Sequence, residues 1–371
     1  MGRHGIDQAG KSQSLTCALH LHSVIGMERM IRIAVLASCL FSTWAHAIQV
    51  PGLYEAEVPV ADQQEENRRQ ALKTALQIVL VKLTGDRFAP GRTAVAPLLQ
   101  APESYLQQYR YNETASGDSQ DVPRLFLWTR FDEAILNKKL RALGLPVWGR
   151  ERPSTLIWLA VEDENGRRLT SLENDPDIVT VVDKRARLRG VTLLFPLVDL
   201  EDSARLRASD LWGGFRQPVL EASDRYRADA ILTGTVYSPV PGIWEGRWVA
   251  YMDNKETSWT TEGDLRDVVL DEGIDGMADF LAGEFIRIDT GQGSVRIVVA
   301  DIFNTDQYAK TLKYLGSLNA ITNVDVSEVQ QGRVTFIVTA HGGQPAVTQA
   351  IALGRVLEPI GPQQGEYRLL P

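Results

Sequence analysis

Both cysteines of the chain, Cys17 and Cys39, and four of its five histidines lie before residue 48, in a segment that reads as one to be removed. Residues 27 to 47, MERMIRIAVLASCLFSTWAHA, run from Arg29 and Arg32 through the apolar stretch Ile33 to Trp44 and end on Ala45-His46-Ala47. That is the basic, apolar, small-x-small order of a secretory signal peptide. The apolar stretch is shorter than the roughly 20 residues a membrane span needs. Cleavage after Ala47 is expected, leaving a mature, periplasmic chain from Ile48 with no cysteine and with His341 as its one histidine. Such a chain has no disulfide to rely on and must fold by packing alone.

A rival reading of the leader is a lipobox at Leu36-Ala37-Ser38-Cys39, which would make a lipoprotein acylated on Cys39. The apolar run before Cys39 falls short of the roughly 7 to 15 residues of an ordinary signal core, so cleavage at Ala47 is preferred. Met1, Met27 and Met30 are all candidate starts, since residues 1 to 26 show no apolar period.

Loss of the leader narrows the chemistry. Cys/His zinc sites, thiol catalysis and most His-based triads lack their residues, so no metal, cofactor or catalytic residue is assigned. The leader carries Arg3, Lys11, Arg29 and Arg32 against Asp7 and Glu28, a net of +2, so the mature chain moves from -8 to -10. That balance points away from nucleic acid, which needs a net basic face. The one basic run, Lys184-Arg185-Ala186-Arg187-Leu188-Arg189-Gly190, closes an expected helix, where cations complement the macrodipole.

With 371 residues the chain exceeds what one hydrophobic core usually serves. It reads as three small modules of α/β and α+β class. The first, 48–150, has the order β-α-β-β-α. Asp62 and Glu65 show capping-box spacing before a helix whose Ala71, Leu72, Ala75, Leu76, Val79, Leu80 and Leu83 share a face and which Gly85 stops. Asp132 is expected to cap a second helix that ends at Gly144. The ETASGDSQDVP segment between two strands is expected to be a loop.

The second module, 153–287, opens on TLIWLAVE, apolar enough for a sheet buried on both faces. A helix over about 175–188, a second buried strand VTLLFPLV, the helix QPVLEASDRYR, the strand ADAILTGTVYS, a β-meander and a last helix over about 264–286 follow, which predicts a mixed sheet covered by helices. After the linker DTGQG, the third module, 293–371, reads β-α-β-β-α-β, the ferredoxin-like pattern, with EYRLL as its last strand and Thr305 capping its first helix.

Between the second buried strand and QPVLEASDRYR lies FPLVDLEDSARLRASDLWGGF, where Asp199, Glu201, Asp202 and Asp210 crowd together. Carboxylates just past the carboxyl end of a buried strand stand where open α/β sheets bind ligands. The same residues also make a helix start. With Asp202 or Ser203 as N-cap, one helix would place Ala204, Ala208, Leu211 and Trp212 on one face and end at Gly213-Gly214. Arg205 and Arg207 then stand at i,i+3 spacing from Asp202 and Asp210, and cationic partners lower a carboxyl pKa where a general acid needs it raised. The structural reading is preferred, with Asp199 the one acid of the four that lacks a cation at helical spacing.

Trp244 and Trp248 share a strand face and Trp259 comes from the neighbouring strand, a row that suits either an exposed stacking platform or a helix-covered core. The core is preferred. His341 reads as a turn residue. Asp199, Glu201, Asp202, Asp210, Trp212, Trp244 and Trp248 are therefore the candidate ligand or partner surface.

The run Tyr54 to Val60, Leu83-Thr84-Gly85, Gln108-Tyr109-Arg110-Tyr111, Gly144 to Gly149, Arg152-Pro153, Pro196 to Asp202, Asp210-Leu211-Trp212-Gly213 and Tyr226 to Gly234 resembles an uncharacterised family of exported gammaproteobacterial proteins, a domain of unknown function, over nearly all of residues 48 to 287. Residues Val191 to Gly234 are similar at fold level to α/β domains of envelope lipoproteins: the curli secretion lipoprotein, the penicillin-binding-protein activator and the N-terminal domain of the Tol-Pal β-propeller protein. That similarity implies binding of other envelope components. The expected function is thus non-enzymatic binding or scaffolding in the cell envelope, by protein-protein interaction or on a peptidoglycan or glycan component, with no transmembrane anchor in the mature chain. The alternatives are a carboxylate-dependent hydrolase of envelope glycan and a periplasmic small-ligand-binding protein.

Overall fold

The computed structural model describes residues 50–114, 124–164, 166–286, 292–361 and 365–370. The leader, with Cys39 and Ala47, lies outside them, as do most of the loop after β2 below and most of the DTGQG linker. Residues Ala47–Pro371 pack as one unit. Among the described residues no helix is long and apolar enough to cross a membrane.

Among the described residues, three sheets with helices against them make a mixed α/β architecture. The first is built from β1 (Glu55–Val60), α1 (Glu65–Thr84), α2 (Ala96–Gln100), β2 (Leu106–Thr114), β3 (Arg124–Phe131) and α3 (Glu133–Ala142), with antiparallel strands in the order β1-β3-β2. All seven predicted face residues of α1 are buried. A buried Leu or Val contributes about 1.5 to 3 kcal/mol, so this stripe holds helix to sheet. Gly85 ends α1 at φ 66°, and a Cβ there would stand 2.4 Å from Ile286 Cδ1. Asp132 caps α3 by accepting from the Ile135 N–H at 2.8 Å. Asp62 forms no capping box: Gln64 is the N-cap, and the Asp62 carboxylate accepts instead from Gln64 N and Asn67 Nδ2, both at 2.8 Å.

The middle sheet comprises β4 (Ser154–Asp163), β5 (Gly166–Leu169), β6 (Thr192–Leu194), β7 (Ala230–Val240), β8 (Ile243–Met252) and β9 (Lys255–Gly263). Its helices are α4 (Pro176–Arg189), α5 (Leu200–Arg205), α6 (Ala208–Trp212), α7 (Arg216–Ser223) and α8 (Arg266–Phe285). The path is β5-β4-β7-β8-β9, with β4 parallel to β7 and to β6 and the other pairs antiparallel. The central strand β4 is buried on both faces, as its apolar run predicts: Ile157, Leu159 and Val161 meet α4 and α8, while Leu156, Trp158 and Ala160 meet the α5–α7 side. VTLLFPLV, expected as a full buried strand, supplies only the three half-buried residues of β6. The cause is local. Pro196 ends the ladder for want of an N–H, and farther along β4 the edge is already taken by β5, which pairs Ala160 with Leu169.

The third sheet is β10 (Gln292–Ile302), β11 (Ile321–Gln330), β12 (Gly332–His341), β13 (Leu357–Pro359) and β14 (Glu366–Leu369), with α9 (Thr305–Ser317) and α10 (Gly343–Gly354). Its order, β11-β12-β10-β14-β13, departs from the ferredoxin-like prediction. In that pattern the strand after α10 would lie antiparallel beside β10. Here that strand, β13, stays outside, turns through Gly361 (φ 70°) and Gly365 (φ 100°), and β14 inserts parallel to β10. The cap of α9 is Asn304, accepting from Gln307 N at 2.9 Å, rather than Thr305.

Buried cations join the first sheet to the middle one. Arg152, 3% exposed, donates to the carbonyls of Lys82 (2.6 Å), Gly190 (2.8 Å), Gly149 (2.9 Å) and Trp148 (3.1 Å), with its guanidinium 4.0 Å from the Trp148 ring centre. Lys82 Nζ donates to Glu55 O and Gly52 O at 2.9 and 3.2 Å. Burial, reinforced by the neighbouring Arg152 charge, pushes the Lys82 ammonium down to about 8. Above that pH the unfolded lysine, at about 10.4, still binds a proton that the folded one has released. Stability is therefore expected to rise with pH across this window. Denaturant midpoints measured through it should climb in the parent and stay flat in Lys82→Met; an equal slope in both would assign the trend elsewhere.

Candidate functional site

The acidic segment begins where β6 ends. Pro196 is buried, and the chain then reverses through Val198 at φ 53°, a conformation that a β-branched residue adopts only under constraint. The constraint is Asp202, whose side chain is fully buried. Its Oδ2 accepts from Val198 N at 2.9 Å and from the Tyr226 hydroxyl at 2.6 Å, and its Oδ1 accepts from Arg225 Nη1 at 3.0 Å. Tyr226 in turn accepts from Leu197 N at 2.9 Å. Both backbone N–H groups flanking the turn are thus claimed by side chains.

Asp199 is the N-cap of α5, accepting from Asp202 N at 3.0 Å, so the cap stands three residues earlier than Asp202. It also has the cation that helical spacing does not supply: Arg225 Nη1 lies 2.9 Å from its Oδ1 and Nη2 lies 3.1 Å from its Oδ2. The Arg225 hydrogen bonds, with the Asp202 N–H, hold the Asp199 carboxyl below its ordinary range. Burial, then the bond to Asp202, pushes the Tyr226 phenol up to about 12. These groups are fixed as anion, cation and neutral phenol across the physiological range, whereas glycan hydrolysis needs a carboxyl poised to donate a proton.

Arg225 and Tyr226 come from the turn that follows α7, anchored from below. The Tyr226 ring stands edge-on to Trp158, 6.0 Å between centres, and Trp158 Nε1 donates to Ser223 Oγ at 2.9 Å. The central strand β4 therefore carries the clamp that shapes the turn above it.

The remaining candidates divide. Glu201 is exposed and pairs with Arg205 at 3.1 Å rather than leaving that arginine to Asp202. Asp210 accepts from Arg207 N at 2.8 Å and starts a second helix. One predicted helix is thus two, because Leu206 turns extended into the core at 1% exposure and the Asp210 carboxylate takes the Arg207 N–H that follows. Trp212 is half-buried, with the Arg167 guanidinium 4.8 Å from its ring centre.

Trp248, offered as a surface residue, is 1% exposed and cannot meet a partner. Its Nε1 donates to Thr261 Oγ1 at 3.0 Å, and its ring lies so close to α8 that a Cβ at Gly273 would stand 2.1 Å from Cζ2. Trp259 fills the space beside Gly276 in the same way. Trp244 is half-buried against this core. The tryptophan row is the helix-covered face, and the glycines of α8 let the helix approach it. Full burial likewise removes Asp202 from any contact surface.

What sequence reasoning missed is Val198, Arg225 and Tyr226. Arg225-Tyr226 falls within the expected helix QPVLEASDRYR, which in the structure ends at Ser223 so that these two residues lie in the turn after it. Among the described residues no group of three or more acidic, histidine or cysteine side chains is placed to hold a metal ion.

Leu197 and Leu200, on either side of Val198-Asp199, are 66% and 91% exposed. The clamp therefore presents two apolar side chains to solvent at the end of the sheet. No curated protein matches the chain. Residues 47–149, which hold the whole first sheet and end just short of Arg152, match a family model described as a domain of unknown function (DUF8605).

Proposed function

We propose that this chain is an exported, non-enzymatic protein that binds or scaffolds another component of the cell envelope, and that the Leu197–Leu200 turn is its contact. One observation carries the reading: a β-branched residue is held at positive φ by a fully buried carboxylate, and the result is two leucines turned to water. Strain of this kind costs about 1 to 3 kcal/mol and persists where surrounding structure over-determines it, often at contact sites. A turn serving only the fold would relax by taking glycine at position 198 and polar residues beside it. The acids that looked like chemistry instead act on shape, fixing the turn in one conformation so that binding incurs little ordering cost.

The test places a photo-crosslinking amino acid at the exposed position 201, beside Leu200, in the exported protein. A discrete crosslinked partner is expected, and the double substitution L197S/L200S should abolish its capture while leaving the unfolding midpoint within experimental error. Equal capture by the double variant would remove the turn from the contact. Mass spectrometry of the same sample reads the N-terminus, with Ile48 expected and acylated Cys39 as the contrary result.

A further inference from the structure

The third sheet ends on an open edge. β11 is paired with β12 on one side, and among the described residues none of 322–330 makes a main-chain hydrogen bond beyond that pairing. Eight of its ten residues are exposed, so no helix or loop shields it. A strand pairs on two sides, and one left bare presents a row of N–H and C=O groups that can template another strand.

Its side chains divide by face. Val324, Val326 and Val329 stand opposite Val338, Phe336 and Val334, which belong to the core, so these valines lie on the helix-covered side of the sheet. The cover thins along the strand: Val324 is half-buried against the core, while Val326 is 39% and Val329 68% exposed. Asp325 and Glu328 stand opposite Ile337 and Thr335 on the other side. Both acids are bonded to neutral amides of the same strand, Asp325 accepting from Asn323 Nδ2 at 2.7 Å and Glu328 from Gln330 Nε2 at 2.8 Å. The strand carries no lysine or arginine, and among the described residues no ion pair forms at either acid.

We propose that β11 takes up an extended basic segment of a partner protein as an added strand, with apolar side chains beside Val326 and Val329 and lysines or arginines beside Asp325 and Glu328. Main-chain hydrogen bonds attach such a strand, and alternate side chains select it. A second copy of this chain is the wrong occupant, because pairing β11 with itself brings the acids of the two copies together, and like charges across a ladder are destabilising. Register shifts at Ile321/Asn323 and at Val326/Glu328 interrupt the edge, a device that guards native sheets against indiscriminate pairing, and leave Asn323 to Val326 as the regular stretch. The contact lies on the third sheet and holds or fails independently of the Leu197–Leu200 turn.

The probe is a synthetic peptide of alternating valine and lysine, titrated into the chain from Ile48 while backbone amide signals are followed by NMR. Saturable shifts centred on β11 are expected. The same peptide with alternate backbone nitrogens methylated keeps its charge but cannot complete the ladder, and it should bind at least tenfold more weakly. So should a peptide of identical composition with its lysines in one block. D325K/E328K should lose the lysine peptide by at least tenfold and take up a valine-glutamate one, with its unfolding midpoint unchanged because both side chains are exposed. If that variant does not fold, the methylated peptide on the parent still decides. Shifts absent from β11 would overturn the proposal, as would equal affinity for the methylated or blocked peptide, or a folded D325K/E328K that binds as the parent does. Sedimentation of the parent as a dimer that Val329→Lys disperses would also overturn it, by assigning the edge to a second copy.

Discussion

Asp275→Ala is expected to lower the unfolding free energy by about 3 to 5 kcal/mol, the range seen when one partner of a buried ion pair is removed. Asp275 sits on α8 at 3% exposure and accepts from Arg185 Nε at 2.8 Å, Arg189 Nη1 at 3.0 Å and Arg87 Nη1 at 3.4 Å. Arg87 and Arg185 reach solvent, but Arg189 is 2% exposed and keeps only Asp279 at 2.6 Å and Gly85 O at 3.0 Å once Asp275 is gone. A buried guanidinium short of an anion is the source of the loss. Pairing the change with Arg189→Met should recover much of it, because the net worth of a buried pair is small even when each half is indispensable. Urea unfolding of the two single variants and the double variant measures the coupling; a loss below about 1 kcal/mol in Asp275→Ala would mean that Arg189 finds water.

The same site fixes a pH trend. Burial pushes the Asp275 carboxyl up, but the hydrogen bonds and charges of Arg185 and Arg189 outweigh it and hold the group below its ordinary range. Its folded pKa is therefore below the unfolded value of about 3.9. The stabilisation is whole above that value and disappears as pH falls through the folded one. Asp275→Asn should flatten the acid limb of the stability curve.

The second large effect belongs to Asp202→Ala, at about 2 to 3 kcal/mol, in the range of hydrogen bonds to a buried charged group. It falls short of the Asp275 loss because Arg225 has access to water and keeps Asp199. Val198 N and the Tyr226 hydroxyl lose their acceptor together, so the turn relaxes from positive φ. Proteolysis should then cut between residues 197 and 200 where the parent resists, and an unchanged cleavage pattern would show that something other than Asp202 holds the turn. Asp199→Ala should have the smaller effect, since its side chain is exposed and Asp202 still holds the turn. This reverses the priority that spacing suggests, in which Asp199 is the acid to change first.

Why the clamp was hard to read is clear from its parts. Helical spacing reports partners one turn away, and it correctly marks the seven buried residues of α1 and the cap at Asp132. Arg225 reaches Asp199 across 26 positions, through a fold that no local pattern encodes. The two-sided burial of β4 was legible because its apolar run is long, whereas β5 and β13 were not, having four and three residues and no alternation to display.

The placement of β14 bears on how the chain assembles. Because it lies between β10 and β13, the short β13 has no neighbour until β14 has docked, and β10 must wait for a segment that follows two helices and three further strands. The parallel pairing of β4 with β7 imposes the same delay in the middle sheet, joining Thr155 to Ala230. Both closures carry a loop entropy that is met before contact is made. The hairpin β11–β12 and the meander β7–β8–β9 face no such delay, so folding is expected to begin in these local antiparallel pairs and to finish at the parallel seams.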